Sequence, residues 1–318
     1  KKNNLQIALT TAALLGAALF ASSTQSTIPA RMLFPLYIAP GTNGANWNPV
    51  IAANTYGNID VILNPSNGPG SAKQTNYVNG IARLKAANVG IYGYVHSTYG
   101  DRSIVDVKAD IDKWVNWYAP ITGIFVDEAE YRAGQGDEGY YAELYAYIKN
   151  RGMLAINNPG TGTNETYLNL ADTTCIFESS VTKTFTFPSW GWNYPSEKFC
   201  YLAWGASVEQ MRAAVDTATK NNVEYVYVTG NGSDHWNFIP PYLAEEAARL
   251  AGGEVASTVT APAVTSVTRT TTPTVTNTTP PTLTPVITLT VTPTITKTPT
   301  PQLICVPALS VVVCNRMP

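Results

Sequence analysis

The sequence is poor in charge. Only 13% of its 318 residues are charged, and its 20 basic and 22 acidic residues leave a net charge of −2. Proteins that bind nucleic acid concentrate basic residues on one surface. We therefore expect no nucleic-acid partner.

Histidine and cysteine are also scarce, with 2 and 4 copies. No CxxC pair and no Cys/His spacing typical of a metal site occurs, and no Gly-rich phosphate turn follows the first apolar segment. We predict neither a metal nor a cofactor. Cysteines in an exported protein tend to pair. We expect Cys305 to pair with Cys314, whereas Cys175 and Cys200 are either a second disulfide or two buried thiols.

The two ends of the chain differ from its middle. Lys1 and Lys2 precede an apolar run over 5–21 and then small residues, which is typical of a secretory signal peptide spanning 1–26. The run is short for a membrane helix of about 20 residues. We therefore expect cleavage, no membrane span afterwards, and a secreted, extracellular protein.

Near the other end, residues 257–301 are dominated by Thr and Pro, which predicts an extended linker without a core. The tail that follows, 302–318, contains Cys305 and Cys314 and is too short to fold alone. It is interpreted either as the start of a truncated module or as an attachment to the cell surface.

Between residues 31 and 253, strand-like and helix-like segments alternate. The strand candidates are 33–39, 59–64, 90–96, 123–127, 153–157, 174–178, 199–204 and 224–229. The helix candidates are 47–53, 77–87, 104–118, 139–150, 166–170, 208–221 and 241–251. Eight strands that alternate with helices are typical of a (β/α)8 TIM barrel. We predict one such barrel, acting as a monomer.

One apolar strand, Ile124–Val126, ends in Asp127, Glu128 and Glu130. The carboxylates either lie at the mouth of the barrel, where barrel enzymes keep their active sites, or cap a helix, with Asp127 at the N-cap and Glu130 three residues on. Polar residues also end other strands, among them Asn64, His96, Asn158, Glu178 and Thr229. Their shared position favours an active site.

Five segments in order, 64–70, 93–100, 123–128, 158–160 and 176–178, resemble the spherulin 4 family, which is similar to glycoside hydrolase family 135. The resemblance implies a barrel that cuts an α-linked exopolysaccharide containing galactosamine or N-acetylgalactosamine. It implies that Asp127, Glu128 and Glu178 are the catalytic candidates.

A glycosidase needs one carboxyl group to protonate the leaving oxygen and another to attack the anomeric carbon or activate water. We assign Asp127 as nucleophile and Glu178 as general acid/base, and expect a retaining, endo-acting enzyme. Because successive strand residues face opposite sides, Asp127 and Glu128 cannot both face inward unless the strand has ended. The expected substrate-binding residues are Asn64, His96, Tyr99, Asn158, Trp190, Trp192, Trp204, Thr229 and Trp236, with Tyr94 and Tyr194 as further stacking candidates.

Aromatic residues are abundant, with 7 Trp and 18 Tyr, and they suit either sugar stacking or a packed core. The carboxylates of Asp101, Glu130 and the three catalytic candidates would attract a cationic, partly deacetylated polymer. Two other functions stay open: a non-catalytic carbohydrate-binding protein of the cell surface or matrix, and a hydrolase of a different α-linked glycan.

Overall fold

The computed structural model describes residues 30–230 and 232–253, and the backbone of two short strands, Ile304–Ala308 and Val311–Asn315. The expected signal peptide and Thr/Pro-rich linker lie outside these residues. They remain predictions, as does the domain division that depends on them. Within the described residues, no helix is both long and apolar enough to cross a membrane.

Eight parallel strands close into a barrel in sequence order, with the first strand hydrogen-bonded to the last. Their bounds are β1 Arg31–Leu36, β2 Ile59–Leu63, β3 Gly90–His96, β4 Gly123–Asp127, β5 Leu154–Asn158, β6 Thr173–Ser180, β7 Phe199–Trp204 and β8 Tyr225–Thr229. The predicted (β/α)8 fold is confirmed. The carboxyl ends of all eight strands therefore meet at one face.

In the described part of the chain, seven α-helices surround the barrel. They are α1 Asn48–Ala53, α2 Thr75–Ala86, α3 Ile104–Tyr118, α4 Glu138–Lys149, α5 Glu165–Leu168, α6 Val208–Lys220 and α7 Leu243–Leu250. Packing of α3 against the sheet shows how they are seated. The Trp114 indole donates to the carbonyl of Tyr94 at 2.8 Å, and a Cβ on Gly93 would lie 2.4 Å from the Trp114 ring. Only glycine at that position lets the ring approach the strand this closely.

The connection from β6 to β7 is described throughout and contains no α-helix, only two short 3₁₀ turns, Ser189–Asn193 and Ser196–Lys198. Aromatic side chains cover the sheet in its place. Phe177 and Tyr201 stack at 4.5 Å, Phe185 contacts both rings edge-on, and Trp190 lies against Phe199. Aromatic burial of this kind contributes the apolar area that a helix would otherwise provide.

Cys175 and Cys200 face each other across β6 and β7, and both are fully buried free thiols. Burial, followed by the hydrogen bond to Cys200, raises the pKa of the Cys175 thiol well above its usual range. Of the two interpretations of this pair, the structure has buried thiols rather than a disulfide.

In the second unit of the chain, β9 (Ile304–Ala308) and β10 (Val311–Asn315) form an antiparallel pair. Their register places Cys305 opposite Cys314. The disulfide between these two residues stays a prediction.

Candidate active site

Asp127 and Glu178 meet at the mouth of the barrel, with Asn158 between them. Asp127 is the last residue of β4, and its register partner on β5 is Asn158. The Asn158 amide nitrogen donates to Asp127 Oδ1 at 2.8 Å and to Glu178 Oε2 at 2.6 Å. Both bonds start from one nitrogen, so the two carboxyl groups must lie close together.

Asp127 is held as an acceptor of several hydrogen bonds. Its other oxygen, Oδ2, accepts from the Tyr94 hydroxyl at 2.8 Å. Burial raises the pKa of Asp127 above its usual range, while hydrogen bonds from Tyr94, the Glu128 backbone and Asn158 oppose that rise. Hydrogen bonds to the charged form favour ionisation, so these three donors reduce the rise that burial causes in the pKa of Asp127.

The pKa of the neighbouring Glu178 is raised as well. Burial, followed by the nearby charge of Asp127, raises the pKa of Glu178 to about 7, against hydrogen bonds from Asn158 and Trp236. A carboxyl group with a pKa close to neutrality can donate a proton and later accept one. Glu178 therefore has the environment of a general acid/base, while Asp127 accepts hydrogen bonds at both of its oxygens.

Glu128 lies beside this pair rather than in it. Its backbone is left-handed, with φ of 52°, so the strand ends at Asp127. The Glu128 side chain is 43% exposed and lies 3.5 Å from His96 Nδ1, which also contacts Thr98 Oγ1 at 3.2 Å. Glu128 and His96 thus border the mouth beside Asp127.

The helix-capping interpretation of this segment is wrong, since the next helix, α4, begins only at Glu138. Glu130 is buried, and its carboxylate accepts from the backbone N–H groups of Tyr131 and Arg132, both at 2.7 Å. The Arg132 guanidinium pairs with it at 2.6 Å. Hydrogen bonds from Arg132 lower the pKa of Glu130 to about 2. Because its charge is neutralised by Arg132, Glu130 adds little to the attraction of a cationic polymer.

Aromatic rings border the carboxylates on the side of β7 and β8. Trp204 stacks on His235 with ring centroids 4.3 Å apart and planes 3° apart, and Trp236 meets both rings edge-on. Trp236 also hydrogen-bonds to Glu178. The Trp204 and Trp236 of the predicted set are therefore brought to the site, although His235 covers one face of Trp204.

Three other predicted residues make contacts away from the carboxylates, and a fourth is fully buried. Trp190 and the exposed Trp192 belong to the β6–β7 connection, where they contact Phe199 and Phe187. Asn64 accepts from the backbone of Gly68 within its own turn, and Thr229 is fully buried. Tyr194, a further stacking candidate, donates to Glu165 outside the barrel.

Sequence reasoning missed two residues of the site. Tyr37 follows β1, meets Tyr94 edge-on at 5.9 Å, and donates its backbone N–H to the carbonyl of Trp236. Burial and then Asp127 raise the pKa of Tyr37 well above its usual range. His235 was missed because it lies six residues past the end of β8. Tyr37 could have been found only if the first strand, predicted over 33–39, had been ended at Leu36, where the structure ends it.

Among the described residues, no group of three or more His, Cys, Asp or Glu side chains is arranged to hold a metal ion. The side chains that meet at the site are carboxylates, one amide, two histidines and aromatic rings. Such a set can hold a sugar ring, transfer a proton and attack an anomeric carbon.

Known proteins resemble this chain in sequence and in fold. A crystal structure of Aspergillus clavatus Sph3 in complex with GalNAc shares the barrel, with a TM-score of 0.62 and 22% identity over 71% of this chain and 99% of that chain. The Flavobacterium johnsoniae GH18 chitinase ChiB is more distant, with a TM-score of 0.44 and 14% identity over 70% of this chain and 94% of that one.

The sequence relationship is more specific. Spherulin-4 of Physarum polycephalum is 34% identical over 241 residues, which cover 71% of each chain. The profile of spherulation-specific family 4 matches residues 31–250. The chain therefore belongs to spherulation-specific family 4.

Proposed function

We propose that this protein is a secreted glycoside hydrolase that cuts within an α-linked polysaccharide containing galactosamine or N-acetylgalactosamine, with retention of anomeric configuration. The observation that carries the proposal is the Asn158 amide, which binds Asp127 and Glu178 at 2.8 and 2.6 Å. GalNAc bound to the related barrel of Sph3 supports a hexosamine as the sugar.

The spacing of the carboxyls supports retention. Carboxyl groups lie about 5–5.5 Å apart in retaining glycosidases and about 6.5–9.5 Å apart in inverting ones, which need room for a water. Two oxygens that share one amide nitrogen through bonds of 2.8 and 2.6 Å fit the shorter class. Asp127 then attacks the anomeric carbon directly.

The two half-reactions follow from the environments. Protonated Glu178 gives its proton to the glycosidic oxygen as that bond breaks, while the Asp127 carboxylate forms a bond to the anomeric carbon. Glu178, now ionised, takes a proton from water, and the water oxygen displaces Asp127. The raised pKa of Glu178, about 7, suits both steps, and the hydrogen bonds from Tyr94 and Asn158 suit the leaving of Asp127.

The test is reducing-end release by the full-length protein from a panel of purified polysaccharides that includes an α-linked galactosamine polymer. We expect cleavage of that polymer by the wild type and by Glu143→Gln, a control on an exposed glutamate whose side chain is 60% exposed. We expect none by Glu178→Gln. NMR of the first product reports the anomeric configuration. A wild type that binds the polymer without cutting it would favour the non-catalytic carbohydrate-binding function instead.

A further inference from the structure

Two tyrosines border the carboxylates on the side opposite Trp204. Tyr99 follows β3 and Tyr131 follows β4, and their rings meet edge to face at 6.3 Å and 73°. Tyr99 is 39% exposed. Its backbone N–H donates to the carbonyl of Glu128 at 2.6 Å. Partial burial and then the charges of Glu128 and Asp127 raise the pKa of Tyr99, in agreement with its place beside the site.

The backbone around Tyr99 is strained. Thr98 and Tyr99 have φ of 50° and 54°, a left-handed conformation that side chains other than glycine rarely adopt. Ser97 holds the turn against β4 by donating to the carbonyl of Glu128 at 2.9 Å, and Arg102 donates to the carbonyl of His96 at 3.0 Å. The strained turn places the Tyr99 ring outside the core, where it is 39% exposed. Strain of this kind concentrates at ligand sites.

Tyr131 is positioned by different means. The buried Glu130 carboxylate binds the backbone N–H groups of Tyr131 and Arg132, and the Arg132 guanidinium lies 5.5 Å from the Tyr131 ring centroid. The buried Glu130 carboxylate therefore fixes the backbone of this loop at Tyr131. The Tyr131 ring itself is half-buried. Rings that are already held in place lose little freedom when a ligand binds.

We propose that Tyr99 and Tyr131 form a second sugar subsite, which binds a hexopyranose unit of the polymer next to the bond that is cut. Two rings at a steep angle form a corner that suits the apolar face of a pyranose ring. Trp204 and Trp236 lie on the other side of the carboxylates, so a chain across the mouth contacts aromatic rings on both sides. The proposal rests on the proposed function, since it requires a sugar polymer in the cleft.

The test compares full-length Tyr99→Ala and Tyr131→Ala with the wild type on size-fractionated oligosaccharides of the α-linked galactosamine polymer. We expect KM to rise about 3- to 10-fold for the longest chains and by less for the shortest chain that is cut. Tyr131→Phe, which keeps the aromatic ring, should have the KM of the wild type. Because both rings form one subsite, the double variant should lose little more than either single variant.

Tyr56→Ala is the matched control, since Tyr56 is 53% exposed and precedes β2, at the opposite end of the barrel. An equal rise of KM at every chain length, or no rise at all, would overturn the subsite. Calorimetric titration of the polymer into Glu178→Gln, with and without Tyr131→Ala, needs no turnover. The two proposals then fail separately. A polymer that the wild type never cuts refutes the hydrolase, whereas equal affinity of Glu178→Gln with and without Tyr131→Ala refutes the subsite.

Discussion

Replacement of Glu178 by glutamine should stabilise the protein at the pH where it abolishes activity. Glu178 lies beside Asp127 in a buried site, and its pKa is raised from 4.5 to about 7 by burial and then by that neighbour. An ionised Glu178 is therefore unfavourable in the folded state. Glutamine keeps the shape and an acceptor oxygen for Asn158, and it carries no charge.

The size of the effect follows from linkage. Each pKa unit corresponds to about 1.4 kcal/mol, so a rise from 4.5 to about 7 amounts to about 3 kcal/mol. A raised carboxyl pKa means that the folded protein binds the proton more tightly than the unfolded chain does. The stabilising contribution of this proton to the free energy of unfolding is fully present below pH 4.5 and is lost as pH rises to about 7. Relative to wild type, the free energy of unfolding of Glu178→Gln should increase by up to about 3 kcal/mol over this pH interval and should not increase further above it.

The assay is urea unfolding of the full-length proteins, followed by tryptophan fluorescence, at steps from pH 4.5 to 8.5. Glu143→Gln, on the exposed face of α4, controls for the loss of a glutamate as such. We expect the difference between Glu178→Gln and wild type to grow between pH 4.5 and 7 and to level off above that. A difference that stays constant across the range would refute the raised pKa of Glu178 and the acid/base role built on it.

Three further outcomes are expected. Asp127→Asn should lower kcat by about 10²–10⁴-fold or more, whereas Glu128→Gln, at an exposed carboxylate, should cost much less; equal losses in reducing-end release would make Glu128 the nucleophile. The wild-type kcat/KM should fall as pH rises through about 7, because Glu178 then loses the proton it must donate; a profile flat from pH 6 to 8.5 would contradict this. In calorimetric titrations with the polymer, Trp236→Ala should bind it more weakly than wild type, whereas Trp192→Ala should bind it with unchanged affinity.

The barrel could be predicted because its strands are buried on both faces and its helices are amphipathic. Strands of this kind read as short apolar runs, and β3, β4 and β7 and helix α3 have the bounds that the sequence predicts. The β6–β7 connection could not be anticipated in the same way. Its aromatic residues favour an exposed binding loop over a packed cover, whereas in the structure Trp190 and Phe185 pack on Phe199 and Tyr201 and Trp192 is exposed.

The candidate site could be predicted as far as strand ends determine it. Asp127, Asn158 and His96 are each the last residue of a strand, so the closed barrel alone brings them to one face. Tyr131 and His235 lie within loops, where sequence distance from a strand says nothing about position in space. Tyr131 is placed by the hydrogen bond from its backbone N–H to the Glu130 carboxylate, and His235 by its stack on Trp204. Neither contact has a sequence signature.

The inward direction of Glu178 depends on a bulge that no periodicity shows. Cys175 faces the site, since Glu178 and Asp127 contribute to the rise of its pKa. Strict alternation from Cys175 would turn Phe177 inward and Glu178 outward. In the register with β7, however, Cys175 pairs with Cys200 and Phe177 with the next residue, Tyr201, so one residue of β6 is extra. A bulge of this kind reverses the alternation beyond it. Phe177 therefore stacks on Tyr201 outside the sheet, and Glu178 reaches the Asn158 amide inside the mouth.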